Sequence, residues 1–176
     1  YSVVETNKPG YTDVSDVDGA NDNVIAVTLP AGGDVPTRDF VDERPGSISG
    51  KVQADTNNDN AGDTPLAGVV LALKDANGVT IATTTTGADG SYAFTGLQPG
   101  SYVVKQTQPA GYVTVTDLDS TADLAGSPAD ATNSSTSDNQ LAATVKSGET
   151  DNGNDFVERL VCADSFAQWR ANNALN

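Results

Sequence analysis

"GVVLALKDANGVTIATTTT" (residues 68–86) decides the fold. Val69, Leu71 and Leu73 recur at every second position, the period of a strand with one buried face. Asn77-Gly78 follows, the dipeptide that tolerates the left-handed backbone of a tight hairpin turn. "VTIATTTT" (79–86) is β-branched and reads as the partner strand. The same grammar extends both ways. Upstream, "SISGKVQA" (47–54) places Ile48, Gly50, Val52 and Ala54 on one face. Downstream, "ADG" (88–90) turns the chain into "SYAFTGL" (91–97), and "QPGS" (98–101) turns it into "YVVKQT" (102–107). "YVTVT" (112–116), "QLAATV" (140–145) and "DFVERL" (155–160) complete the series. Short strands separated by Gly, Pro, Asn and Asp predict an all-β sandwich or barrel.

The chain repeats itself. "YSVVETNKPGY" (1–11) lies over "YVVKQTQPAGY" (102–112), and "SDVD" (15–18) over "TDLD" (116–119). "IAVTL" (25–29) then matches "LAATV" (141–145), and "RDFVDER" (38–44) matches "NDFVERL" (154–160). Three segments follow: 1–44 as the back half of one repeat, 46–160 as a complete repeat beyond the Pro45-Gly46 junction, and 161–176 as the start of a further element. The second copy carries a polar insert at 120–138, expected to be a surface loop. In the last segment Phe166, Trp169 and Arg170 stand at helical spacing behind Asp164-Ser165, so a short C-terminal helix is expected. "YSVVET" at the start reads as mid-strand, which suggests a piece of a longer array of β-domains.

Composition narrows the function classes. The 176 residues hold 24 acidic and 9 basic side chains, a net charge of −15. That excess disfavours nucleic acid and anionic membranes, and it suits divalent cations. No apolar run approaches the ~18 residues of a helical membrane span. Histidine is absent, and no nucleophile–base pair or phosphate loop is evident, so catalysis is not expected. Cys162 is the only cysteine and excludes an internal disulfide.

"DTNNDNAGD" (55–63) is the candidate site. Counting from Asp55, side-chain oxygens fall at alternate positions: Asp55, Asn57, Asp59 and Asp63, with Ala61 offering its carbonyl at position seven. Hard Ca²⁺ takes six to eight oxygens, and alternate residues of a curled loop aim them at one centre. Position six is Asn60 rather than Gly, and position twelve is Leu66 rather than a bidentate Glu. The plain alternative is a solvated Asx-rich turn. Two further clusters recur at equivalent places, Asp16, Asp18 and Asp22 in the first copy and Asp117, Asp119 and Asp123 in the second. A second cation site is expected there, with Asp39 and Asp155 close in the repeat. Asp89 reads as a turn residue.

The ordered series "PLAGVVLAL", "DGSYAF", "L-x-PGSYVV", "P-x-GY" and closing "DF", with the D-x-N-x-D loop, resembles the B-type repeats of serine–aspartate repeat adhesins and the wider group of collagen-adhesin B-type domains. The resemblance implies a seven-stranded prealbumin-like or Ig-like β-sandwich, calcium in the acidic loops and a stalk role at the cell surface. Its partners would be neighbouring repeats or identical subunits, and a host or matrix protein or glycan. Some relatives carry a lysine isopeptide bond assisted by an acidic residue. Lys51 lies on the first strand, but the acid's place is taken by Gln106, so no bond is expected and Lys51 should be exposed. Two other readings stand beside the stalk. One is a sugar- or protein-binding sandwich, disfavoured by few spare aromatics. The other is an extracellular filament in which the half repeat completes a neighbour's sheet.

Overall fold

The computed structural model describes residues 1–119 and 138–161. The expected C-terminal helix, Asp123 and nearly all of the polar insert lie outside the described residues. Among the described residues there is no helix.

Four short strands come first: β1 (Ser2–Val4), β2 (Thr12–Asp16), β3 (Val24–Ala26) and β4 (Phe40–Glu43). They form two antiparallel pairs, β1 with β3 and β2 with β4. Ten more follow: β5 (Gly46–Ala54), β6 (Thr64–Pro65), β7 (Val70–Lys74), β8 (Thr80–Thr85), β9 (Ser91–Leu97), β10 (Gly100–Gln106), β11 (Tyr112–Asp119), β12 (Gln140–Val145), β13 (Thr150–Asp151) and β14 (Asn154–Leu160). One sheet runs β12-β10-β7-β8. The other runs β11-β14-β5-β13, and β5 also pairs with β6 and β9. Eight of these ten strands have five or more residues, one more than the seven the resemblance implies. The tight turn closed by Tyr112 N–H on the Pro109 carbonyl (3.1 Å) sends β11 back along the outer edge of β14.

The turns work as their residues dictate. Asp75 Oδ1 accepts the Asn77 and Val79 N–H groups, each at 2.9 Å, and Gly78 takes φ 79°. At the next turn Asp89 Oδ1 accepts from Ser91 N–H and Oγ, which holds its carboxyl below the ordinary range.

Period-two alternation delivers one core between the sheets. Leu71, Leu73, Val104, Leu141 and Val145 meet Ile48, Val52, Tyr92, Phe94 and Phe156, all buried. Burying such side chains stabilises by about 1.5–3 kcal/mol each. Tyr92 and Phe94 meet edge-on with ring centroids 6.1 Å apart, and the Tyr92 hydroxyl donates to the Asn154 carbonyl at 2.6 Å. Gly50 is required at this crossing, because a Cβ there would stand 1.8 Å from that same carbonyl oxygen.

Two features position the site. β14 runs parallel to β5, with Glu158 beside Ala54, so the loop leaving β5 starts next to Arg159. The β2–β4 pairing is also repeated by β11–β14. Asp16 faces Phe40 as Asp117 faces Phe156, and the register slips between Asp13 and Ser15 as it does between Thr114 and Thr116.

Candidate metal centre

Asp55 is the hub of the acidic loop. Its Oδ1 accepts the Asn57 and Asn58 N–H groups (3.2 and 2.7 Å), and its Oδ2 accepts that of Asn60 at 3.1 Å. Short Asx side chains satisfying the backbone two to five residues on curl the chain around themselves. Asn58 and Asn60 take φ 66° and 69°, the left-handed region that Asn tolerates best after Gly. Asn57 Oδ1 accepts the Asp59 N–H and Asp59 Oδ1 the Ala61 N–H, both at 2.9 Å. Thr56 donates through N–H and hydroxyl to Asp63 Oδ2, while Asp63 N–H closes the neck on the Ala54 carbonyl.

This curl brings three carboxylates together. Asp55, Asp59 and Asp63 each present an oxygen, and the three lie within 4.8 Å of one another. Asp55 is buried and the other two are exposed. Asn57 sits among them, its Nδ2 reaching Asp59 Oδ2 and Asp63 Oδ1 at 3.2 Å. Ala61 stands exposed at the rim. The donor set is all oxygen, suited to a hard cation.

Sequence reasoning missed Arg159. Its guanidinium donates to Asp55 Oδ2 and, at 2.9 Å, to Asn60 Oδ1. That hydrogen bond, aided by the Asn58 and Asn60 N–H groups, holds the Asp55 carboxyl below its ordinary range against burial. The contact spans 104 residues and arises from strand pairing, so no local pattern announces it.

The recurrent clusters are arranged differently. Asp16 is buried, its Oδ2 accepting the Asp22 and Asn23 N–H groups at 3.0 and 2.9 Å. Asp18 accepts from Ala20 and Ala26, and Asp22 from Val24. Among the described residues only Asp55, Asp59 and Asp63 have oxygens mutually within 4.8 Å, so Asp16, Asp18 and Asp22 do not converge as a trio. Asp117 is buried and accepts the Asn139 N–H at 2.9 Å. Asp119 ends β11 opposite Asn154. Asp39 is exposed, and Asp155 accepts the Lys51 N–H at 2.7 Å.

Lys51 stands exposed on β5. Gln106 takes the acid's place on β10, yet a buried acid stands beside it on β14: Glu158 is fully buried. Gln106 Nε2 donates to its Oε1 at 2.6 Å, and Gln108 Nε2 to its Oε2. Thr114 and Asn139 extend the network: the Thr114 hydroxyl meets Gln108 Oε1 at 2.7 Å and Asn139 Oδ1 at 2.9 Å. The signal was the run of polar residues at inward positions of β10, β11 and β14.

The sequence is similar to known proteins. Serine-aspartate repeat-containing protein D of Staphylococcus aureus is 34% identical over 122 residues, covering 64% of this chain and 9% of the relative. Protein F of the same type from Staphylococcus epidermidis is 48% identical over 64 residues, 35% of this chain and 4% of that protein. The chain thus spans less than a tenth of the length of these relatives. Among solved structures, the minor pilin of Streptococcus agalactiae aligns with a TM-score of 0.45 at 18% identity, covering 68% of this chain and 46% of that one. The SdrD B-like domain family matches over residues 46–156, the span of the sandwich and its acidic loop, and the chain belongs to that family.

Proposed function

We propose that this chain is a calcium-stabilised structural module of an extracellular stalk, carried at the cell surface or secreted, and not an enzyme. The observation that carries the reading is the trio Asp55, Asp59 and Asp63, whose oxygens lie within 4.8 Å on an otherwise polar loop. Family membership supports the stalk role. So do hydrogen bonds between the first four strands and the sandwich. Gln98 Nε2 donates to Thr12 Oγ1 at 2.8 Å, Arg44 N–H to Ser147 Oγ at 2.9 Å, and Gly148 N–H to the Arg44 carbonyl at 2.8 Å. Neighbouring repeats or identical subunits are the natural partners of such a bead.

Asp55, Asn57, Asp59 and Asp63 would hold the ion, with Ala61 giving its carbonyl. Arg159 neutralises one face of Asp55 and leaves Asp59 and Asp63 dependent on an external cation. Binding only to the folded chain adds RT ln(1 + [L]/Kd), about 1.4 kcal/mol at a tenfold excess. Extracellular modules need bind only at about 10⁻⁴ to 10⁻³ M. Calorimetry with Ca²⁺ on the wild type and on Asp59→Ala tests the reading. The variant should lose heat from one site, and identical isotherms would overturn it.

A further inference from the structure

Strand β8 lies at the end of its sheet, and among the described residues it pairs with β7 alone. Its surroundings are uncharged. From Ala76 to Val104 the only charged side chain is Asp89, whose carboxylate accepts from Ser91 N–H and Oγ. A row of open N–H and C=O groups recruits another strand, and natural sheets blunt such edges with lysine, proline or an inward charge. β8 has none of these. Its outward side chains are β-branched and exposed: Ile81, Thr83 and Thr85, with Val79 before them and Val70 opposite Thr85 on β7.

The pairing with β7 decides which backbone groups are open. The Thr86 N–H donates to the Val69 carbonyl at 2.9 Å, and the Thr86 carbonyl accepts the Gly68 N–H at 2.9 Å. Backbone groups alternate sides along a strand, so Thr84 and Ala82 also address β7, while Thr83 and Thr85 address the open side. Burial alternates in step: Ala82 and Thr84 are half-buried, and Ile81, Thr83 and Thr85 are exposed. The β7–β8 register slips beyond Ala82, so the regular stretch is 82–86 and Thr84 is its centre.

We infer that β8 is a docking edge for a second copy of this chain: two β8 strands join antiparallel about a two-fold axis through Thr84 and merge their sheets. In that register Thr83 of each copy faces Thr85 of the other. Each such pair exchanges both of its N–H···O bonds, and Thr–Thr contacts across the strands add to the ladder. Charge selects the occupant. The chain carries a net charge of −15, so two copies repel at an acidic edge such as β11, with Asp117 and Asp119. At β8 they meet without a carboxylate opposite a carboxylate. A basic partner gains nothing from an edge with no charge to attract it. The contact is also closed, because an isologous edge uses the same strand on both partners and stops at two. It goes beyond the stalk reading by joining chains to one another, and it uses no cation.

Sedimentation equilibrium on the full chain in chelator tests this apart from the acidic loop. Wild type should pass from one chain to two as its concentration rises towards ~1 mM, the weak end of specific association. Added salt should strengthen the dimer, because screening relieves the repulsion between two acidic chains and no ion pair holds the edge. Thr83→Lys/Thr85→Lys sets like charges opposite each other in both pairs, and so does Thr83→Glu/Thr85→Glu. Each variant alone should stay monomeric while keeping the circular dichroism and urea midpoint of wild type. Their equimolar mixture should recover a dimer; both chains remain strongly acidic, so the recovery reports the edge and not overall attraction. A wild type that stays monomeric throughout, a dimer that persists in either variant alone, a mixture that stays monomeric, or assembly beyond two chains would each overturn the site. Loss of Ca²⁺ binding bears only on the acidic loop and leaves this edge standing.

Discussion

Asp117→Asn should make the chain more stable at neutral pH and change nothing in acid. Asp117 is 1% exposed, and only its Oδ2 has a partner. Burial lifts its carboxyl from 3.8 to about 6; the Asn139 N–H opposes this, and the Asp138 and Glu158 carboxylates add to it. A carboxyl whose folded pKa exceeds its unfolded value binds protons more tightly when folded. Its burial is tolerated below the unfolded value, and stability falls as pH rises through the folded one. The gap from 3.8 to about 6 corresponds to about 3 kcal/mol. Asparagine keeps an oxygen for the Asn139 N–H and cannot ionise. Urea unfolding in chelator, in steps from about pH 3.5 to about 7.5, should show the variant gaining by that amount relative to wild type. A difference that stays flat within ~0.5 kcal/mol would refute the reasoning, because a pH-independent gap is packing and not ionisation.

Arg159→Ala should lower the urea midpoint more in chelator than in Ca²⁺, because the ion replaces the guanidinium as counter-charge to Asp55; equal losses in both would separate Arg159 from the loop's cation chemistry. Intact mass should equal the sequence mass, since Lys51 is exposed and Gln106 is committed to Glu158; a deficit of one water or one ammonia mapped to Lys51 would contradict this.

The parts of the fold visible in the sequence are those set by neighbours along the chain. Asn77-Gly78, Asp89-Gly90 and the alternation of Leu71 with Leu73 are local, and each stands as read. The acidic loop was visible for the same reason, since Asp55, Asn57 and Asp59 act on backbone groups within five residues. What stayed hidden depends on long-range pairing. Arg159 meets Asp55 because β14 runs parallel to β5, a register that neither strand declares by itself. Glu5, Asp13 and Asp42 each look like the exposed polar residue of a half-buried strand. They become a cluster only when β2, β4 and the start of the chain are folded together.

The two copies show how one frame accommodates an acidic interior in different ways. A buried oxygen must be met by a donor, water or a cation, because leaving it unmet costs about 1–3 kcal/mol and more when it is charged. With 24 acidic and 9 basic side chains, the chain cannot meet every carboxylate with a charge of its own. The second copy lowers demand: Gln106, Gln108 and Thr114 supply hydrogens, and Glu158 and Asp117 remain the only carboxylates beside them. The first copy has four carboxylates at the matching places of its repeat, Glu5, Asp13, Asp16 and Asp42, and its three basic residues are directed elsewhere. Chelation should loosen the acidic loop while sparing the network around Glu158, which needs no cation to meet its carboxylate. Amide exchange should rise at Asn60 and stay slow at Gln106, whose N–H bonds the Asn139 carbonyl at 2.9 Å. Equal acceleration at Asn60 and Gln106 would mean that the ion stabilises the chain globally and not at its loop.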